Sequence, residues 1–323
     1  MTRIAVLDDY QGAASSFADW SSLPADVVFF DTHLSNEDDV ATRLTDFDVV
    51  AVMRERTPFR ESLLTRLPRL KLIVTAGKRN AAIDMDSARE QGIVVAGVGG
   101  GPSGSTAELT WALILAVVRH IPAEDARVRA GGWQHTVGTD LAGRTLGVLG
   151  LGRLGSQVAT VGLAFGMDVI AWSANLTDER AAAVGATRVE KADLFARSDV
   201  LSVHTVLSDR TRGLIGAAEF AAMKPTAFLV NTSRGPIVDS DALLKALHDR
   251  QIAGAGLDVF DAEPLPPGHP LLQAPNTVLS PHIGFVTETT YRSWYTGMVE
   301  AISAFLAGEP VNVLNAPESG DTR

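Results

Sequence analysis

The chain has 323 residues, 46% of them hydrophobic and 20% charged, with no cysteine and a formal net charge of −10. Such a length predicts two domains with ample apolar surface for two cores, and the lack of cysteine excludes disulfides and thiolate metal sites. The acidic balance, without any lysine/arginine block, excludes a nucleic-acid surface.

MTRIAVLDDY reads as a short strand ending in acids and not as a signal peptide. The longest purely apolar run, WALILAVV at 111–118, is too short to cross a bilayer, so the expectation is a soluble, cytoplasmic protein without membrane contact. RIAVLD, DVVFFD, DVVAVM, KLIVTA and IVVAG follow as strands in the first hundred residues, with amphipathic NEDDVATRL and MDSAREQG between them. That alternation is the mark of parallel α/β architecture. GVGGGPSG at 97–104 holds five glycines and a proline in eight residues and favours neither helix nor strand. Ser105-Thr106-Ala107-Glu108 then has capping-box spacing and opens a long apolar helix reaching about His120. A second strand series follows, TLGVLG, DVIAW, DVLSVH, AFLVNT, AGLDVF and TVLSP, and ETTYRSWYTGMVEAISAFLAG forms a final helix.

This order predicts two doubly wound parallel-sheet domains. A Rossmann dinucleotide domain at 100–287 is inserted into a flavodoxin-like domain made of 1–99 and 288–323, with the glycine-rich run as one hinge. Two domains in simple tandem are the alternative.

VLGLGRLG at 148–155 carries G-x-G-x-x-G between the strand TLGVLG and a helix, and DVIAW follows within about thirty residues. In that setting Gly150 permits a tight turn, Gly152 lets a pyrophosphate approach the backbone, and Gly155 lets helix and strand pack closely. The first helical turn, beginning at Arg153 and Leu154, offers amides to phosphates. The second strand ends at Ser173, where Asp or Glu would bind the adenosine ribose. No carboxylate is there to repel a 2′-phosphate, and no Arg or Lys follows until Arg180. The residues lean toward NAD and leave NADP open.

Three segments place charged residues at the ends of late strands: FLVNTSRGPIVD, AGAGLDVFDAEPLP and NTVLSPHIGFVT. With the glycine turn and VLSVHTVLSDRTRGLI, the chain resembles the D-isomer-specific 2-hydroxyacid dehydrogenases, a family that includes glyoxylate/hydroxypyruvate reductases and phosphoglycerate dehydrogenases. The resemblance runs over almost the whole chain and is most specific from about 143 to 287. It implies that Arg234 binds the substrate's carboxylate and keto oxygens, a task that suits a guanidinium fork. It implies that His282 carries the proton and that Glu263 is its acidic partner, with Asp261 the next candidate for that place. Asp258 is implied to bind the nicotinamide carboxamide, with an acidic strand-end cap as the other reading. Thr205, Thr232, Ser233 and Gly284 are implied to lie on the cofactor side, and His204 is read as structural or cofactor-side. Ala76 and Gly77, in VTAGKRN, are implied to cradle the substrate carboxylate with backbone amides. This loop carries Lys78 and Arg79 where many members have an apolar residue and an acid, which bears on substrate identity. Arg54 matches a family arginine that faces the cleft, with a surface ion pair as the other reading. Asp239 is read as a helix cap, and His33, His120, His135, His248 and His269 as structural histidines.

The expected reaction is reversible hydride transfer between NAD(P)H and C2 of a small 2-oxo or D-2-hydroxy acid. A nucleotide-sensing regulatory or scaffold protein retaining the fold is the alternative from another class, and a formate dehydrogenase-like enzyme, which would carry Gln in place of Glu263, is a closer one. No metal is expected. A homodimer is, because the helix from Glu108 to about His120 is apolar on more than one face and RAGGWQ adds Trp133 as an aromatic anchor.

Overall fold

The computed structural model describes residues 1–99 and 104–316. Half of the glycine-rich run read as a hinge, residues 100–103, lies outside the described residues. The chain divides into two compact units, Met1–Pro102 with Thr287–Arg323, and Ser103–Val286.

The first unit holds β1 (Thr2–Val6), β2 (Ala25–Phe29), β3 (Val49–Val52), β4 (Leu72–Ala76) and β5 (Val94–Val98), arranged β2-β1-β3-β4-β5 with every pairing parallel. This is the flavodoxin-like order. β3 and β4 are buried at every residue, as the strands of a parallel sheet covered on both faces must be. One face packs Val50, Val52, Ile73 and Val95 against Leu44, Phe59 and Leu63. The helix Glu288–Leu306 packs on β4 and β5 and buries Tyr291, Tyr295, Met298 and Ile302. The segment after it straps the outer edge of β5. Ala96 bridges Val313 antiparallel, Leu314 N donates to Val95 O at 2.7 Å, and the Asn315 side chain bonds Val95 N and Ile93 O at 3.0 and 2.8 Å.

The second unit holds β6 (Thr145–Leu149), β7 (Asp168–Trp172), β8 (Thr187–Arg188), β9 (Val200–Val203), β10 (Phe228–Asn231), β11 (Gly254–Leu257) and β12 (Thr277–Leu279), in the order β12-β11-β10-β9-β6-β7-β8. Its strand order reverses between β6 and β9, the Rossmann switch point. Trp111, Ile114, Val117 and Val158 fill one face of this sheet, and Phe195, Phe220, Leu229 and Leu243 the other.

Three expectations change here. The capping box at Ser105 does not form. Gly104 already has helical angles (φ −92°, ψ −27°), so the helix Ser105–Val118 begins at Ser105 and leaves that residue no capping position. The long helix also stops early. His120 turns left-handed at φ 53°, and a second helix, Ile121–Arg129, starts with proline in its first turn. Finally, the apolar surplus assigned to a second subunit is used inside the unit. The helix Ser105–Val118 lies against β10, β11, β12 and the helix Arg153–Ala164, burying Trp111, Leu113, Ile114, Val117 and Val118. Large apolar side chains are exposed further on, at Ile121, Val128, Trp133 and Val137.

Among the described residues no helix is long and apolar enough to cross a membrane.

Candidate active site

Register fixes where the candidate residues of the second unit stand. Leu149 pairs with Trp172 and with Val203, Val203 with Asn231, Asn231 with Leu257, and Leu257 with Leu279. The residues that come next, Ser173, Gly150, His204, Thr232, Asp258 and Ser280, therefore line one carboxyl-terminal rim. A doubly wound sheet binds its ligand there.

At the switch point Gly150 takes φ +100°, and a Cβ on it would lie 2.7 Å from Thr205 N. A Cβ on Gly155 would fall 2.1 Å from Gly150 O, so helix and turn meet at a distance only glycine allows. At Gly152 a Cβ would meet nothing within 4 Å, and the helix Arg153–Ala164 that follows has no side-chain cap on its amino end. Open space against uncapped amides fits a pyrophosphate, which would take the place of the missing cap. The turn therefore fits a dinucleotide.

Arg234 follows β10 in a loop ordered by Asn231, whose Nδ2 donates to Arg234 O at 3.0 Å and whose Oδ1 accepts from Ser233 N at 3.0 Å. Ser233 Oγ donates to Thr205 O at 2.5 Å, tying this loop to the one after β9. A Cβ at Gly235 would lie 2.1 Å from Phe260 C. The glycine after the arginine thus lets the Arg234 loop rest on the backbone that leads to Glu263. Glu263 Oε1 accepts from Phe260 N at 2.9 Å, and Oε2 lies 2.5 Å from His282 Nδ1. An ionised carboxylate only accepts, so Nδ1 carries the proton and Nε2 is the nitrogen left for a substrate oxygen. His282 and Glu263 are both partly exposed. Asp261 accepts from Ser240 Oγ at 2.5 Å, and Asp239 caps the helix Ser240–His248 through Ala242 N.

His282 itself is held at φ 53°, a left-handed conformation costing about 1 kcal/mol or more for a residue with a Cβ. Asp258, fully buried, holds the loop that imposes it. Its Oδ1 accepts from Ser280 Oγ at 2.6 Å and Ile283 N at 2.8 Å, and its Oδ2 from Gly284 N at 2.9 Å. Burial pushes this carboxyl above the usual range, against the pull of those three donors and of His282. The carbonyl of Gly284 accepts from Thr106 Oγ1 at 3.0 Å, and Thr232 Oγ1 lies 2.8 Å from Thr110 Oγ1. Sequence reasoning gave Asp258 to the cofactor, with an acidic strand-end cap as the other reading. Its hold on the His282 loop spans 22 to 26 positions and has no local signal.

His204 lies with Nε2 2.8 Å from Ser202 Oγ, and burial pushes its imidazole down from 6.5 to about 4. A folded-state value below the unfolded one means that the unfolded chain takes the proton first. The contribution to stability is whole above about pH 6.5 and is lost as pH falls through about 4, a total of roughly 3 kcal/mol. Urea unfolding at pH 7 and pH 4.5 should show a smaller acid loss for His204→Asn than for the wild type; equal losses would remove this group from the balance. Of the other histidines, His33 pairs with Asp8, His120 with Asn276 and His135 with Glu124, and His269 caps the turn at Leu271.

In the first unit, Ala76 ends β4 and pairs with Val98. The Gly77 amide donates to Val98 O at 2.5 Å, so it is already engaged in the sheet and is not the donor the sequence suggested. What Gly77 provides is shape. It takes φ +101°, and a Cβ there would meet Arg54 Nη1 at 2.4 Å. Arg54, itself left-handed at φ 57°, lays its guanidinium across this glycine while its Nε lies 3.5 Å from Glu55 Oε2. Of the two readings of Arg54, the ion pair is the one this contact shows. Asn80, overlooked in the sequence, locks the two loops by donating to Arg54 O at 2.7 Å and Thr75 Oγ1 at 2.9 Å.

The family model for the NAD-binding domain of D-isomer specific 2-hydroxyacid dehydrogenases matches residues 111–284. A glyoxylate reductase of Aeropyrum pernix is 43% identical over 263 residues, 78% of this chain and 78% of that protein. A D-3-phosphoglycerate dehydrogenase of Bacillus subtilis is 36% identical over 292 residues, 90% of this chain and 55% of that one. The chain thus spans about half the length of that phosphoglycerate dehydrogenase. Among solved structures, a phosphoglycerate oxidoreductase from Vibrio cholerae aligns with TM-score 0.91 at 36% identity, covering 95% of this chain and 100% of that one.

Proposed function

The chain belongs to the D-isomer-specific 2-hydroxyacid dehydrogenase family, and on that premise we propose that it reduces a small 2-oxo acid at C2 and oxidises the matching D-2-hydroxy acid in reverse. The observation that carries this reading is the His282–Glu263 pair at 2.5 Å, on the same rim as a turn that fits a dinucleotide. The nicotinamide, when bound, supplies the hydride.

Arg234 would hold the substrate's carboxylate and keto oxygens, its planar fork donating to two acceptors at once. Glu263 holds the His282 ring by Nδ1–H and balances the charge of the doubly protonated imidazole. Nε2 then gives its proton to the oxygen on C2 as that oxygen gains charge. Ala76, Gly77 and Arg54 belong, on this reading, to substrate recognition, and Lys78 and Arg79 beside them favour an anionic substrate. Glyoxylate and hydroxypyruvate are the first candidates. NADH is the expected partner and NADPH the lesser one.

A panel of 2-oxo acids assayed with NADH and with NADPH tests the proposal. Turnover of one or more is expected. Nicotinamide binding without turnover of any would overturn it in favour of a nucleotide-sensing protein.

We also propose a homodimer formed through residues 121–137. Trp133 is 72% and Val137 92% exposed, beside exposed Ile121 and Val128. Yet this stretch is well anchored: Glu124 accepts from Thr136 N at 2.8 Å and from Thr136 Oγ1 at 2.5 Å, and Arg127 Nε donates to Trp133 O at 2.7 Å. Four exposed apolar side chains on one firmly held stretch of an acidic protein suit a second copy of the same surface. Sedimentation at micromolar concentration should give a dimer for the wild type and a monomer for Trp133→Asp. A monomeric wild type would end this reading.

A further inference from the structure

Ser173 ends the ribose strand without a charge, so the choice between NAD and NADP has to be made by other residues. One strand further out, β8 places Arg188 beside Ala171 of β7. Its Nε donates to Leu176 O at 3.0 Å, and Leu176 N donates to Ser173 O at 3.0 Å. The guanidinium is thus fastened to the turn that begins at Ser173. Its other nitrogens meet carboxylates, Nη2 at 2.9 Å from Glu190 Oε1 and Nη1 at 3.8 Å from Asp178 Oδ1. Arg188 is 33% exposed, Glu190 71% and Asp178 79%, so the group opens to solvent.

A guanidinium next to the ribose turn is the natural ligand for a 2′-phosphate. Here its charge is already balanced, and an incoming phosphate dianion would meet two carboxylates as well. We infer that Arg188, masked by Asp178 and Glu190, determines cofactor specificity: the chain selects NAD over NADP by neutralising the arginine that would otherwise take the 2′-phosphate. This replaces the usual device, an acid at the end of the second strand, with two acids acting through a cation on the next strand. The inference rests on the reading of the glycine turn as a dinucleotide site.

Calorimetric titration of the whole protein with NADH and with NADPH tests it, because the two ligands differ only in the 2′-phosphate. The wild type should bind NADH more tightly. The double variant Asp178→Asn/Glu190→Gln should narrow the gap about tenfold, the size expected from releasing two exposed ion pairs, and leave NADH affinity unchanged. Adding Arg188→Gln to that variant should restore the gap. Unchanged NADH affinity also shows that each variant keeps its fold. A ratio that does not move in the double variant overturns the inference. So does a wild type that binds both ligands equally and loses only NADPH on Arg188→Gln, since the arginine would then be unmasked already. A wild type that binds neither ligand would overturn the dinucleotide reading itself, and the inference with it.

Discussion

Replacing His282 by alanine is expected to lower 2-oxo acid reduction by about 10²–10⁴-fold, the usual worth of a general acid, with NADH affinity nearly unchanged. The imidazole is held by one carboxylate and, in the proposed mechanism, would act on the substrate oxygen through Nε2, whereas the features that fit a dinucleotide belong to the glycine turn and its uncapped helix. Glu263→Gln should have a smaller effect, about ten- to a hundredfold on kcat, in line with losing one charge-assisted hydrogen bond. Glu263 serves two donors with two oxygens, Phe260 N and His282 Nδ1–H. An amide can accept on one side only and must turn an N–H₂ toward the other donor. Steady-state kcat and KM, measured beside a direct titration of NADH, separate the effects. A His282→Ala variant that keeps its kcat, or fails only in NADH binding, would remove His282 from proton transfer. If Glu263→Gln behaves as the wild type, Asp261 becomes the partner to test.

Asp258→Ala should destabilise the protein by about 3–5 kcal/mol, since each buried donor left unsatisfied costs about 1–3 kcal/mol, and should cut kcat together with stability. Three donors, Ser280 Oγ, Ile283 N and Gly284 N, would be left facing an apolar methyl. With them goes the restraint that keeps His282 at φ 53°. Asp258 is therefore a positioning residue for His282, whatever it also offers a nicotinamide. Ser280→Ala removes one of the three bonds and should lose about 1 kcal/mol, with kcat largely kept. Urea unfolding of both variants, with kcat and the NADH dissociation constant from the same preparations, checks the point. An Asp258→Ala protein of unchanged stability that merely binds NADH less well would reduce Asp258 to a cofactor contact.

Much of this was legible in one dimension because the chemistry is local. Continuous runs such as VVAV and LIVTA mark strands covered on both faces, and the glycine turn, N-T-S-R-G and P-H-I are short segments at strand ends. What escaped depends on distance. Arg188 sits on a strand of two residues, too short to leave a pattern, and its approach to Leu176 exists only because β8 pairs with β7. The break at His120 had no glycine or proline before it; a histidine in the left-handed region bonded to Asn276 ends the helix. The Gly77 amide looked free because the sequence does not show Val98 opposite it. The apolar positions of the helix Ser105–Val118 looked like an interface until a sheet and a second helix were seen to share them.

The discontinuity of the first unit matters most while the chain is being made. Its five strands are complete at Val98, but the helix that buries Tyr295 and Ile302 over β4 and β5, and the strap that closes the β5 edge, are encoded after Thr287. At a translation rate of about 5–20 residues per second, the uninterrupted second unit emerges first, and the unfinished sheet waits for roughly ten to forty seconds. During that interval it carries bare apolar surface and an open strand edge, the features that invite neighbouring nascent chains to pair. Slower elongation or a smaller chaperone supply would then be expected to lower the yield of folded protein in a cell.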